Sequence, residues 1–314
     1  MKTNFNHFVE NKNFKIINTI PRSKKIVSKK QEKVKDTYSF LWKTYLPSNN
    51  IKKKLTKWFA ELFNSKISIN QLTMNKKILD AGCGAGLSAI YFFNKNLNNS
   101  DYIGLDISRA VEQAKANFKK LNINGNFVQS SIEHIPKNLK FDTIYSTGVL
   151  HHTDSTFKSM KKLSKHLETN GYFLGYVYKK KAPLREFTDD YIREKVKLLN
   201  DRDYVEVLKP LTKLGIELGK IQKKIDIKEP IQILGIPKGK ITIQRLVYYY
   251  FFKCYFDKNL TFKDMHQVNL DWYRPELCHR HTKEEVLSYI KKCNLKKILL
   301  KDVESGFSFI AKKE

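Results

Sequence analysis

The feature that most constrains this chain is the run Ile78-Leu79-Asp80-Ala81-Gly82-Cys83-Gly84-Ala85-Gly86-Leu87. Ile78 and Leu79 form a short apolar run of the kind buried in a parallel sheet. Alternating glycines then break it, and Leu87-Ser88-Ala89-Ile90-Tyr91-Phe92 resumes with the spacing that starts a helix. Strand, glycine turn and helix in this order make a cradle. Glycine tolerates positive φ and, without Cβ, lets a ligand lie directly on the backbone. The helix start beyond it offers N–H groups that have no intrahelical partner. A plain strand-to-helix connection has no need of three alternating glycines after an Asp, so the run reads as a ligand site.

The dinucleotide fingerprint is G-x-G-x-x-G. Here the third glycine falls one place early, with Leu87 where that pattern has Gly. Asp-x-Gly-x-Gly-x-Gly resembles instead the first motif of class I S-adenosylmethionine-dependent methyltransferases. The next motif sits where that family has it: Tyr102-Ile103-Gly104-Leu105-Asp106 reads as a second strand ending in an acid, 24 residues after Gly82. The two oxygens of a carboxylate there match the two hydroxyls of a ribose.

From Lys76 the pattern alternates. The first strand and helix are followed by strand 102–106, helix 108–121 with Ser108 as N-cap, and strand 126–129. Strand 141–146, helix 155–168 and strand 171–178 come next. Alternation of this kind predicts a parallel sheet with crossover helices on both faces, binding ligands at the carboxyl ends of its strands. Residues 180 to about 270 break the rhythm with helices over 189–199, 204–218 and 243–256. Helix 283–292 and strands 295–300 and 306–311 then restore it. The last pair resembles the antiparallel hairpin that closes a methyltransferase sheet. The expected fold is therefore α/β: a Rossmann-like seven-stranded class I methyltransferase sheet with helices on both faces, plus a largely helical cap inserted after the fifth strand. Its divisions are a basic arm, extended or partly ordered, over 1–35; an aromatic and helical lid segment over 36–75; and a cofactor-binding core over 76–180. A substrate cap over 181–270 and the C-terminal part of the core sheet over 271–314 complete it. Arg185–Ile192, Leu234–Lys240 and Asn269–Pro275 are similar to landmarks of one bacterial group with such a cap, the type 11-like methyltransferases.

The resemblance implies S-adenosylmethionine as cofactor and assigns Asp80, Gly82, Cys83, Gly84 and Gly86 to its methionine half. It assigns Asp106 to the ribose and Ile107 to the adenine face. Ser131, standing where the family usually has an Asp, and the backbone of Ile132 would read the adenine amino group, and Thr147 lies after the fourth strand. Trp42, in the aromatic segment Thr37–Tyr45, would be a lid, with core packing as the alternative. Methyl transfer from a sulfonium is mainly a matter of alignment, and a general base is needed only where the acceptor sheds a proton. His151 and His152 are the candidates for that base, or are loop anchors. Tyr273, Arg274 and His279 would contact substrate in a loop feeding the last helix, where Thr282 and Glu285 form a capping box. Cys278 with His279 and His281 lacks metal-site spacing.

Lys and Arg number 59 against 31 Asp and Glu, a net charge of +28. The excess is mostly Lys and scattered through every segment, so solvated faces explain it better than a nucleic-acid surface. An RNA methyltransferase is the alternative reading, with a non-catalytic cofactor-binding protein as the second, and a small-molecule acceptor is preferred to both. The four cysteines have no paired spacing. The N-terminus lacks the apolar stretch of a signal peptide, and the run Leu246–Phe252 is too short to span a bilayer. A cytoplasmic protein is expected.

Overall fold

The computed structural model describes residues 3–44 and 47–314, apart from the side chains of Lys43 and Thr44. Met1 and Lys2 of the arm and Tyr45, the end of the aromatic segment, lie outside the described residues. The chain forms two compact units. One comprises Met1–Thr44, Lys54–Lys179 and Leu277–Glu314; the other comprises Tyr45–Lys53 and Lys180–Glu276. No helix among the described residues is long and apolar enough to cross a membrane.

In chain order the elements up to the second unit's main segment are α1 (Asn6–Val9), β1 (Phe14–Ile17), β2 (Ile20–Ser23), α2 (Lys29–Thr44), α3 (Asn49–Leu62), α4 (Ile69–Thr73) and β3 (Lys76–Ala81). Then come α5 (Leu87–Phe93), β4 (Ser100–Asp106), α6 (Ala110–Lys120), β5 (Asn126–Gln129), β6 (Phe141–Thr147), α7 (Thr156–Lys165) and β7 (Leu167–Tyr178). The second unit's main segment holds α8 (Pro183–Val196), α9 (Asp201–Val207), α10 (Lys209–Lys220), the hairpin of β8 (Lys224–Ile227) and β9 (Gly239–Thr242), α11 (Ile243–Tyr250) and α12 (Phe262–Tyr273). The first unit closes with α13 (Lys283–Lys292), β10 (Leu295–Asp302) and β11 (Gly306–Lys313).

The first unit is built on a nine-stranded sheet of order β1-β2-β5-β4-β3-β6-β7-β11-β10. Strands β2 to β7 pair in parallel across this order, while β11 pairs antiparallel with both β7 and β10. The expected seven strands run from β5 to β10. The other two correct the reading of the arm: β1 and β2 form an antiparallel hairpin that joins the sheet beside β5, where Arg22 aligns with Gln129. Aliphatic residues are sparse there, but Phe8, Phe14 and Ile20 are all buried. A fully buried side chain of this size contributes about 1.5–3 kcal/mol, enough for a short hairpin to stay on an existing edge.

Side chains alternate across a strand, and β3 shows the consequence. Leu79 and Ala81 face one core with Met160 and Leu163 of α7 and Val286 and Ile290 of α13. Ile78 faces the other, with Ala89, Ile90 and Phe93 of α5 and Val111, Ala114 and Phe118 of α6. The same alternation turns Asp80 toward this second face. Crossovers leave β3 toward β4 on one side and return to β6 on the other. The strand order therefore reverses at β3, at the carboxyl end of the sheet.

The second unit departs from the sequence reading in three places. The helix expected over 204–218 is two, α9 and α10, because Pro210 in the first turn of α10 cannot donate a helical hydrogen bond. The helix expected over 243–256 stops at Tyr250. Residues 262–273, whose end was read as loop, are α12, started by a capping box of Thr261 and Asp264.

The centre of this unit is polar. Asp189 is 1% exposed. Its Oδ2 accepts hydrogen bonds from Arg185 Nε at 2.5 Å and Trp272 Nε1 at 2.8 Å, and its Oδ1 from Tyr273 Oη at 2.9 Å and the Lys253 backbone N–H at 3.1 Å. Arg185 also donates to the Tyr248 carbonyl. Removing one partner of such a buried pair leaves an uncompensated charge. Asp189→Ala should therefore destabilise the second unit by about 3–5 kcal/mol, measured by urea unfolding followed through tryptophan fluorescence.

Candidate functional site

The glycine turn is set by hydrogen bonds from the neighbouring strand. The N–H groups of Gly82 and Cys83 both donate to the Leu105 carbonyl, at 2.6 and 3.0 Å, and Gly86 N–H donates back to Cys83 O at 2.8 Å. Gly82, Gly84 and Gly86 have φ of 90°, 52° and 76°, in the region where a side chain is strained. A Cβ on Gly82 would stand 2.2 Å from Val149, and one on Gly84 would stand 3.1 Å from Trp42 Nε1. The indole of Trp42 thus lies against the turn.

Two carboxylates flank it. Asp106, at the end of β4, accepts from Gly84 N–H at 2.9 Å through Oδ2, and from Ser108 N–H at 2.7 Å and Ser108 Oγ at 2.6 Å through Oδ1. Burial raises its pKa, and the bonds from Ser108 and Gly84 oppose the rise. Sequence reading gave both oxygens to a ribose. In the structure Ser108 fills the two lone-pair sites of Oδ1, so Oδ2 keeps the capacity to accept a further bond. Ser108 Oγ also accepts from Ala110 N–H at 3.2 Å, but the N-cap of α6 is Arg109, one residue after the Ser108 expected from the sequence.

Asp80 is 1% exposed and accepts from Tyr102 Oη at 2.7 Å through Oδ2. No donor among the described residues reaches its buried Oδ1. Burial pushes its pKa up to about 7, with the Tyr102 bond lowering it and the nearby charge of Asp106 raising it further. Burial likewise pushes the Cys83 thiol up, which makes it a packing group rather than a nucleophile. Tyr145 and Thr147 alternate along β6 onto the Asp80 face. Ser131 accepts from Glu133 N–H at 3.3 Å and opens a short helical turn after β5. Ile132 packs in the core, and Ile107 is half-buried, its carbonyl accepting from Gln129 Nε2 at 3.1 Å.

After β6 the chain turns through His151 and His152, both buried. The His152 Nδ1 lies 2.6 Å from the Leu277 carbonyl, which can only accept. Nδ1 therefore carries the proton, and in the neutral ring Nε2 is the basic nitrogen. His151 packs between His152 and Tyr178, at ring separations of 4.2 and 3.8 Å. The segment from Leu277 laces this loop down: His279 N–H donates to His151 O at 2.9 Å, His279 Nε2 to Thr153 O at 3.0 Å, and His281 N–H to Tyr178 O at 2.9 Å.

The structure thus brings Trp42, Asp80, the three glycines, Cys83 and Asp106 together, with the turns after β5 and β6 also at carboxyl ends of strands. The three expected substrate contacts are divided between the two units. His279 belongs to the first unit; Tyr273 and Arg274 belong to the second. Tyr273 is engaged by Asp189 and Lys253. Arg274 donates to the carbonyls of Val196 and Leu199, at 3.3 and 2.9 Å, and to Asp201 at 2.8 Å. Sequence reading missed Tyr102 as the partner of Asp80 and Leu277 as the partner of His152. The first was signalled by a tyrosine facing inward on the strand next to Asp80. The second, a backbone carbonyl 125 residues away, leaves no signal.

Residues 72–225 match a family model described as a methyltransferase domain. Among curated proteins, the chain is 28% identical over 155 residues to a ubiquinone biosynthesis O-methyltransferase of Rickettsia akari, covering 46% of this chain and 61% of that one. It is 32% identical over 121 residues to a histidine protein methyltransferase 1 homolog of Dictyostelium discoideum, covering 35% and 36%. The chain spans about six tenths or less of the length of these relatives. Among solved structures it resembles PKMT2 of Rickettsia typhi, with a TM-score of 0.52 and 15% identity over 86% of this chain and 54% of that one. The same protein in complex with AdoHcy gives a TM-score of 0.51, with 15% identity over 88% and 54%. Residues 72–225, which carry the glycine turn and strands β3 to β7 of the sheet, are thus similar to a methyltransferase domain.

Proposed function

We propose that this protein transfers the methyl group of S-adenosylmethionine to an oxygen or nitrogen of a small or medium-sized acceptor by direct in-line displacement. The observation that carries the reading is the buried carboxylate of Asp80, one oxygen of which meets no donor among the described residues, beside three glycines at positive φ. This combination fits an amino-acid ligand, whose ammonium would meet Oδ1 and whose chain would lie along Gly82, Cys83, Gly84 and Gly86. Asp106 Oδ2 would accept from a ribose hydroxyl. Ile107 would pack on the adenine, Ser131 and the Ile132 backbone would meet its amino group, and Thr147 and Trp42 would border the methionine side.

The cofactor supplies a methyl group on a sulfonium and leaves as a neutral thioether. The protein's part is then to hold the reactants in line and, for a hydroxyl or ammonium acceptor, to take a proton. His152 is suited to that, since the Leu277 carbonyl fixes its tautomer and leaves Nε2 as the accepting nitrogen. His151 packs against its ring, and His279 holds the loop through Thr153. Tyr273 and Arg274 serve the acceptor as positioning residues, through the fold of the second unit. The curated relatives are named for both small-molecule and protein acceptors, so the acceptor class rests on this chain's own residues.

The reading is tested by thermal unfolding with S-adenosylhomocysteine and, separately, NAD. A ligand bound to the folded state alone, at a hundred times its dissociation constant, adds about 2.7 kcal/mol. A rise with S-adenosylhomocysteine alone is expected; a rise with NAD alone, or with neither, overturns the reading.

Asp80 adds a pH signature. Its pKa is 3.8 ordinarily and about 7 in the folded chain. The folded state therefore holds this proton more tightly, and stability from this group declines as pH rises between those values and stays low above them. An ammonium beside Oδ1 restores the charged form. Affinity for S-adenosylhomocysteine should then rise by up to about tenfold per pH unit below pH 7 and level off above it. Calorimetric titration of Asp80→Asn should show weaker binding without this slope; a slope preserved in the variant would remove Asp80 from the ammonium.

A further inference from the structure

Helix α8 of the second unit is amphipathic in the reverse of the usual sense. A surface helix turns its apolar stripe to the core and its charges to water. Here the stripe facing inward is Arg185, Asp189, Arg193 and Val196, all buried. Pro183, Phe187 and Tyr191 are spaced by four, so they share a face, and their offset of two residues from Arg185, Asp189 and Arg193 sets that face opposite. Pro183 is exposed, and Phe187 and Tyr191 are 71 and 55% exposed. The ion pair of Arg185 with Asp189 accounts for the buried charges. The two aromatic rings are left largely in water.

A second apolar group meets this stripe at its start. The chain between β8 and β9 turns through a short helical segment, Gln232–Leu234, closed by reciprocal backbone bonds between Ile231 and Ile236 at 2.8 and 3.1 Å. Gly235, at φ 67°, lies on the start of α8, where a Cβ would stand 3.5 Å from Pro183 and 3.7 Å from Ala182. Ile236 is buried, but Ile231 and Ile233 are 43 and 84% exposed. Turns ordinarily carry Gly, Pro, Asn, Asp or Ser at such places. Exposure of this degree belongs to side chains that protrude rather than to the walls of a groove.

The charge around the turn is one-sided. Between Lys220 and Lys240 six lysines stand against Asp226 and Glu229. Lys220 pairs with Glu217 and Lys228 with Asp226. Lys223, Lys224, Lys238 and Lys240 are exposed and make no ion pair among the described residues. The acids on α8 are engaged locally: Glu186 accepts from Lys181 N–H at 2.7 Å, Asp190 pairs with Arg193 and Glu194 with Lys197. The Lys195 ammonium lies 5.4 Å from the Tyr191 ring.

We propose that Phe187, Tyr191, Ile231 and Ile233 form a docking surface for an anionic lipid membrane, which the second unit touches without crossing. Protruding apolar side chains enter the boundary between headgroups and acyl chains. The lysines beside them lay their stems along that boundary and keep their ammonium groups at the lipid phosphates. A second copy of the chain would set lysine against lysine, and a nucleic acid has no hydrocarbon to receive isoleucine. A membrane of negative charge answers both the apolar and the basic part of the surface. The docking needs neither cofactor nor acceptor.

The test is co-sedimentation of the full chain with vesicles, either of phosphatidylcholine alone or of phosphatidylcholine mixed with phosphatidylglycerol. Binding to the mixed vesicles, and little to phosphatidylcholine alone, is expected in the wild type. The double variant Phe187→Ser with Ile233→Ser keeps every charge of the chain. It should unfold at the wild-type midpoint and bind the mixed vesicles about tenfold or more weakly. Lys238→Gln with Lys240→Gln keeps the apolar side chains and should also weaken binding. Absence of binding to the mixed vesicles, or equal binding to both kinds, overturns the proposal. So does binding unchanged in either variant, since the scattered lysines or the apolar residues alone would then be responsible. A serine variant with a lowered midpoint overturns it too, because the two side chains then serve the fold. A dimer in solution that the serine variant dissolves, seen by light scattering, assigns the surface to a second copy instead. No turnover is measured, so each failure leaves the methyl-transfer reading intact, and a failure to bind S-adenosylhomocysteine leaves the docking surface intact.

Discussion

The site depends on the way two adjacent parallel strands end. At the carboxyl end of β4 the Leu105 carbonyl accepts from Gly82 and Cys83, and the Asp106 side chain accepts from Gly84. Three successive N–H groups of one strand's turn are thereby fixed by two successive residues of the next. The arrangement requires backbone at positive φ, hence glycine, and close approach, hence the short spacing between Asp80 and Gly86. Asp106 acts as a structural member before any ligand arrives. Burial alone would leave its carboxyl protonated more readily; the donors from Ser108 and Gly84 favour the charged form.

What was legible in the sequence follows from where the determining interactions lie. β3, β4 and β6 could be read because their apolar residues and glycines are local signals, and their order followed from handedness rules that hold for any such alternation. The hairpin of β1 and β2 was not legible. Its place on the sheet rests on Phe8, Phe14 and Ile20, separated by Asn and Lys that outweigh them in any local count. Helix α12 was legible in principle, since Thr261 and Asp264 make a capping box, but the aromatic and polar residues at its end drew the eye to a loop. For Tyr273 and Arg274 the residue types suggested a binding surface. Chemistry of that kind serves equally to hold a polar core, and here the hydroxyl meets Asp189 and the guanidinium meets two carbonyls and Asp201.

The two units solve the burial of polar groups differently. In the first, burial raises the pKa of Asp80, where among the described residues one neutral phenol is the donor that reaches it. In the second, Asp189 gathers four donors, so both oxygens are satisfied and the aromatic residues around them are held in one arrangement. An incompletely satisfied carboxylate is poised for a ligand; a saturated one fixes a fold.

Charge makes the same distinction between amount and place. The net +28 is carried largely by lysines spread over the whole chain, and exposed charges at such separations are screened within about 8–10 Å at ordinary salt. They bear on solubility and on encounter with anions of any kind, and so do not select a partner. Lys253 is one lysine among many in the sequence, with no motif around it. Its environment sets it apart: two buried guanidinium groups and one indole face, with Asp271 and Asp189 as the nearby negative charges. Screening by salt is weak between buried charges, so Asp189, Asp190 and Asp271 act on these three cations in a way that the scattered surface excess does not experience.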